Sequence, residues 1–77
     1  MKKTMVEAIN EARVKGNDIM ITDGYWYLEE VCMGNEWFVC GELDWFVSNE
    51  EVEQMEVVKV EHDADGITTI TVTEIDV

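Results

Sequence analysis

Apolar residues recur at helical spacing in the first fifteen positions. Met5, Ile9 and Ala12 form one stripe, flanked by Val6 and Val14. Thr4 with Glu7 three residues later fits a capping box, and Gly16 supplies a stop, so the pattern predicts an N-terminal helix. Glu7 near its start and Arg13 with Lys15 near its end suit the helix dipole. After Gly16 the pattern changes. Short runs rich in aromatic and β-branched residues, at 19–22, 25–33, 36–40, 57–62 and 67–77, alternate with turn residues. Asp23-Gly24 is a hairpin signal, and Gly34-Asn35 makes the next turn. Asp63-Ala64-Asp65-Gly66 suits a type I turn with Gly66 left-handed, closing a bulged hairpin.

Residues 43–47 fit two descriptions, a third strand continued past a bulge at Gly41 or the start of a helical turn. Ser48 with Glu51 repeats the capping-box pattern, which leaves room for a short second helix near 49–55. The expectation is one α+β domain over 1–77, an N-terminal helix packed on an antiparallel sheet of about five strands. A chain of 77 residues holds one small domain and not two. The 57–62 and 67–77 runs do not alternate cleanly, so the pattern leaves open which of their faces is core.

Charge changes the picture most. Eighteen acidic side chains stand against five basic ones, a net charge of −13. The first fifteen residues carry four cations and two carboxylates, whereas the rest carry sixteen carboxylates and one cation, Lys59. Such a chain is repelled by phosphate backbones and anionic lipid surfaces, which argues against direct nucleic-acid or membrane-surface binding. A hydrophobic share of 47%, with three Trp, is too apolar for a disordered acidic tail. Solubility in a small domain is served by a net charge of magnitude about 2–8, so −13 exceeds that need. Glu7, Asn10 and Glu11 interrupt any apolar run after the opening Met1-Lys2-Lys3, so no export signal is expected and the protein is placed in the cytoplasm.

Few residues suggest reaction chemistry. His62 is the single histidine, and nothing has zinc-site spacing. An EF-hand reading of the Asp63–Gly66 loop fails because its twelfth position would be Val72 rather than a glutamate. A dyad of His62 with Cys32 or Cys40 can be drawn, but apolar strand surroundings raise a thiol's pKa. A two-residue turn at 34–35 sets Cys32 and Cys40 on opposite faces, and a three-residue loop sets them on one face but diagonally. Reduced thiols are expected either way. The protein is therefore expected to have no enzymatic activity, no cofactor and no metal.

Two groupings remain. All seven aromatic residues fall between Tyr25 and Phe46, and strand alternation turns Tyr25 and Tyr27 one way and Trp26 the other. Trp37 and Phe38 split likewise. The second grouping is acidic: Glu29 and Glu30 within the aromatic strand, Glu42 with Asp44, then Glu50, Glu51, Glu53 and Glu56. Glu50, Glu53 and Glu56 would line one side of a helix, and Glu74 and Asp76 would alternate on a last strand. A solvated charged face is the competing account of these carboxylates.

Short length, acidity concentrated after residue 16, few basic residues and exposable aromatics together resemble small phage-encoded inhibitors of bacterial defence, the anti-CRISPR and anti-restriction proteins. The resemblance lies in overall character and carries no motif. It implies a non-enzymatic protein in the cytoplasm of a bacterial host, bound to a basic nucleic-acid-binding effector or nuclease as a nucleic-acid mimic. Under it, partner contacts fall to Glu29, Glu30, Glu42, Asp44, Glu50, Glu51, Glu53 and Glu56, with Trp45 and Tyr25 as aromatic anchors. Two other classes share the same features: an antitoxin or immunity protein for a basic toxin, and a small structural module that self-associates, for instance as a homodimer.

Overall fold

The computed structural model describes residues 3–33, 35–41 and 45–75, with side chains at all of these except 32, 33, 35 and 36. They form helix α1 (Met5–Lys15), strands β1 (Asp18–Thr22), β2 (Tyr27–Met33), β3 (Asn35–Cys40) and β4 (Trp45–Ser48), helix α2 (Asn49–Glu53), and strands β5 (Val57–His62) and β6 (Ile67–Val72). The class is α+β, as the sequence pattern predicts. One sheet holds all six strands in the order β4-β3-β2-β1-β6-β5.

Local chemistry explains the helix ends. Thr4 and Glu7 form the reciprocal box: the Thr4 hydroxyl accepts from the Glu7 amide, and the Glu7 carboxylate accepts from the Thr4 amide, both at 3.2 Å. Gly16 closes α1 in the left-handed region at φ 71°, and its N–H donates to the carbonyls of Ala12 and Arg13. The Ser48 hydroxyl caps α2 by accepting from the Glu51 amide. The 63–66 loop is the expected bulged turn. Gly66 is at φ 84°, and the Asp63 carboxylate accepts from the amides of Asp65 and Ile67.

Three expectations need correction. The sheet is mixed and not wholly antiparallel, because β1 and β6 run parallel at its centre, Ile19 beside Thr68 and Ile21 beside Ile70. Turn chemistry specifies antiparallel neighbours within a hairpin, but the docking of β5–β6 against β1 joins strands about fifty residues apart, as between Asp18 and Ile67. Residues 45–48 neither extend the third strand nor begin a helix; they return as a fourth strand, Cys40 opposite Trp45. The last strand ends at Val72, so Glu74 lies beyond it, and Asp76 is outside the described residues.

Both helices lie on one face of the sheet. From α1 come Met5, Ala8, Ile9 and Ala12, all buried, and two of the four are alanines that let the helix approach closely. Ala8 completes the predicted stripe, while Val14 stays 88% exposed. The sheet contributes Ile19, Ile21, Leu28, Phe38, Val47 and Ile70 from alternate positions, and α2 adds Val52. The register is Ile21 opposite Leu28, Leu28 opposite Cys40, and Phe38 opposite Val47. Every such residue turns its predecessor and successor to the other, uncovered face. The two sheet edges are blunted in different ways, β4 by its four-residue length and β5 by a bulge near Val58 and the charge of Lys59.

Candidate functional site

The predicted acidic residues separate into distinct environments. Glu29 and Glu30 are adjacent in β2 and therefore oppose each other across the sheet. Glu30 is on the helix-covered face, where the Arg13 guanidinium binds its carboxylate at 2.8 Å. Glu29 is exposed on the open face between Met20 of β1 and Val39 of β3. Glu42 and Asp44 fall outside the described residues. Glu50 and Glu53 share one side of α2 at i, i+3 spacing, but the helix ends at Glu53 with Gln54 as its C-cap. Glu56 does not extend that row, as expected of a longer helix; it lies in the segment that leads into β5.

The end of the molecule beside α2 gathers a different set. An open cleft of about 700 Å³ is lined by Trp45, Val47, Met55, Glu51, Glu56 and Glu74, among others. Trp45 and Met55 pack against the core and form its apolar floor, with carboxylates around it. A backbone hydrogen bond from Thr73 to the Glu56 carbonyl brings the C-terminal segment alongside. Met55 and Glu74 join this set through tertiary contact alone. Tyr25 lies elsewhere, 73% exposed in the β1–β2 turn and stacked edge-on against Trp26 with ring centroids 4.9 Å apart.

The open face carries the remaining aromatics. Trp37 and Phe46 meet edge to face at 6.2 Å, 38% and 46% exposed, and Tyr27 is 49% exposed. Phe38 is wholly buried, so the predicted split between Trp37 and Phe38 is realised. Strand alternation was the sequence signal for these residues. Their arrangement beside one another depends on the β2–β3–β4 registers.

Internal pairing decides which charges face outward. Lys3 pairs with Glu11, Arg13 with Glu30 and Lys59 with Glu61. The Lys3 hydrogen bond holds the Glu11 carboxyl below its ordinary value against desolvation, with added help from the charges of Lys3, His62 and Lys15. Among the described residues, the carboxylates of Asp18, Glu29, Glu50, Glu51, Glu53, Asp65 and Glu74 make no hydrogen bond or ion pair. Asp23 is occupied. Its carboxylate accepts from the amides of Tyr25 and Trp26 at 2.8 Å and from the Ile75 amide at 3.1 Å. Burial raises its pKa, but the amides of Trp26, Ile75 and Tyr25 together outweigh this and hold the carboxyl below the ordinary 3.8. The β1–β2 connection consequently spans residues 23–26, with Thr22 opposite Tyr27, and is longer than the Asp23-Gly24 pair suggests.

The histidine, His62, is held between a hydroxyl and a carboxylate. Its Nδ1 lies 2.8 Å from the Thr68 hydroxyl, which also accepts from the side-chain Nδ2 of Asn17, and its Nε2 lies 3.8 Å from Glu11. These contacts tie β5 and β6 to the C-terminal end of α1. Cys40 is four strands from His62 in the sheet order, about 19 Å at 4.8 Å per strand, which rules out a dyad between them. Cys32 pairs with Glu36 and Cys40 with Leu28, the register of the three-residue loop. Cys32 is four residues along β2 from Leu28, the partner of Cys40, which leaves the two cysteines about 14 Å apart, too far for a disulfide. No group of three or more metal-ligating residues occurs among the described residues, and no helix there is long and apolar enough to cross a membrane. Comparison with protein-family models, with curated proteins and with solved structures gives no match.

Proposed function

We propose that this protein is a non-enzymatic inhibitor that binds a basic, nucleic-acid-binding protein and occupies the site of its nucleic acid. The observation that carries the reading is the segregation of charge. Lys3, Arg13 and Lys59 are engaged with carboxylates of the same chain and Lys15 stands at the end of α1, while Glu50, Glu51, Glu53 and Glu74 stay unengaged on α2 and the nearby C-terminal segment. Carboxylates of one sign at close spacing offer a cationic channel what phosphates offer it, and they steer encounter at long range. Glu51 and Glu74 border the Trp45–Met55 floor, which adds an apolar contact that slows dissociation.

The test is competition. The protein should displace a fluorescent oligonucleotide from basic nucleic-acid-binding proteins of a phage-susceptible bacterium, CRISPR effectors and restriction nucleases among them. Replacing Glu50, Glu51 and Glu53 together by Gln should weaken that displacement about tenfold or more and flatten its dependence on salt, with the circular dichroism unchanged. Displacement that is equally strong at low and high salt would rule out phosphate mimicry.

A further inference from the structure

Among the described residues, Glu29 is surrounded by apolar side chains on the open face, with Asp18, Thr22 and Ser48 at the margin. Met20 and Val39 flank it across the strands, Tyr27 and Val31 precede and follow it along β2, and Trp37 and Phe46 complete the patch. Trp37 is opposite Val31 and Phe46 opposite Val39, so the six side chains span four strands, about 14 Å across. The other half of the same face is different, with Thr69 and Thr71 on β6 and the Lys59–Glu61 ion pair on β5. Aromatic anchors surrounded by polar residues are the usual anatomy of an interface centre.

The carboxylate determines what the patch can accept. Covering Glu29 with apolar surface would bury an unpaired charge, which is strongly unfavourable, so an occupant has to bring a cation to it. A second copy of this chain is poorly suited. Among the described residues this face offers one lysine, Lys59, which is engaged with Glu61 and three strands away from Glu29. Aligning that lysine with the partner's Glu29 would take the two aromatic patches out of register, and each copy carries −13. A guanidinium fits better. It pairs with the carboxylate through its fork of donors and stacks on neighbouring aromatic rings.

We propose that the open face over β2, β3 and β4 is a docking surface for an arginine-bearing protein segment, with Glu29 receiving the guanidinium and Tyr27, Trp37 and Phe46 packing around it. The proposal rests on the cationic-partner reading above and assigns it a second contact surface, distinct from the α2 carboxylates.

A defined probe separates the two. The 15N-labelled protein is titrated at low salt with an extended hexapeptide alternating arginine with leucine or valine, and with its citrulline counterpart, which is neutral but nearly isosteric. The arginine peptide should shift the resonances of Tyr27, Glu29, Trp37 and Phe46 and bind about tenfold more tightly than the citrulline peptide. Glu29→Gln should abolish that preference, and Trp37→Ala should weaken both peptides by about tenfold. Both positions are exposed, and an unchanged amide spectrum elsewhere verifies the fold. Shifts confined to Glu50, Glu51, Glu53 and Glu74, with Trp37→Ala binding normally, would overturn this inference while leaving the nucleic-acid-site reading intact. No binding of the arginine peptide would overturn both. Concentration-dependent dimerisation that Trp37→Ala abolishes, without peptide binding, would assign the face to a second copy and likewise overturn the proposal.

Discussion

Glu29 and Glu30 are neighbours in one strand, yet they belong to two different surfaces. The helix-covered face is closed: Phe38, Leu28, Ile21 and Ile70 are wholly buried beneath α1 and α2, and its carboxylate, Glu30, is bound by Arg13. The open face has the same strands and a comparable share of large apolar residues, but Tyr27, Trp37 and Phe46 remain exposed and Glu29 is unpaired. One face carries the stability of the domain, and the other is left available for contact. Among the described residues, the two helices cover one side of the six-stranded sheet.

The sharpest way to break this comparison is to truncate adjacent residues of β3. Phe38→Ala should cost about 3–5 kcal/mol, from lost transfer energy and the cavity left behind. That is a large fraction of the roughly 4–12 kcal/mol expected for a domain of this size. Trp37→Ala, one residue away on the open face, should cost less than about half as much, because its side chain is only partly removed from water. Urea denaturation of the two variants measures both. Equal losses would mean that the open face is also part of the core.

Asp23 sharpens the comparison at the edge of the covered face, because its carboxylate joins the β1–β2 turn to Ile75, which is 3% exposed. Asp23→Ala leaves three backbone amides without that acceptor and should cost about 1–3 kcal/mol in urea denaturation. A pH dependence accompanies it. The folded carboxyl titrates below the ordinary 3.8, so its stabilisation is fully present above that value and disappears as pH falls through the lowered one. Asp23→Asn should therefore flatten the acid limb of stability measured against pH.

The smallest effect separates the two glutamates. Glu30→Gln should destabilise by about 0.5–1 kcal/mol, discounted because Arg13 is itself well exposed. Glu29→Gln should leave stability unchanged or raise it slightly, since it relieves repulsion in a chain of −13. Thermal melts at low salt can resolve this difference, and added salt should reduce it.

Features built from near neighbours in the chain were legible in advance. Thr4 and Glu7 cap α1, Gly16 ends it, Ser48 starts α2 and Gly66 bends the last hairpin, each through contacts within four residues. The division of Trp37 from Phe38 was legible too, because strand alternation is local. Of the candidate site, residue types could be named but not their grouping. Glu30 is set apart by Arg13, seventeen positions earlier, and Glu56 falls beyond a helix that stops sooner than its glutamates suggest. Nothing near Asp23 in the chain indicates that it holds Ile75, fifty-two residues away.

The sequence by itself determined an acidic α+β domain with a capped N-terminal helix, hairpins closed by recognisable turns and an aromatic central stretch, because propensity, turn chemistry and charge act over a few residues. Only the tertiary structure decided that β6 lies parallel to β1, which sheet face the helices cover and which carboxylates keep a partner. Those outcomes depend on packing between segments far apart in the chain, where the free energy of burial chooses among arrangements that local preferences leave equivalent.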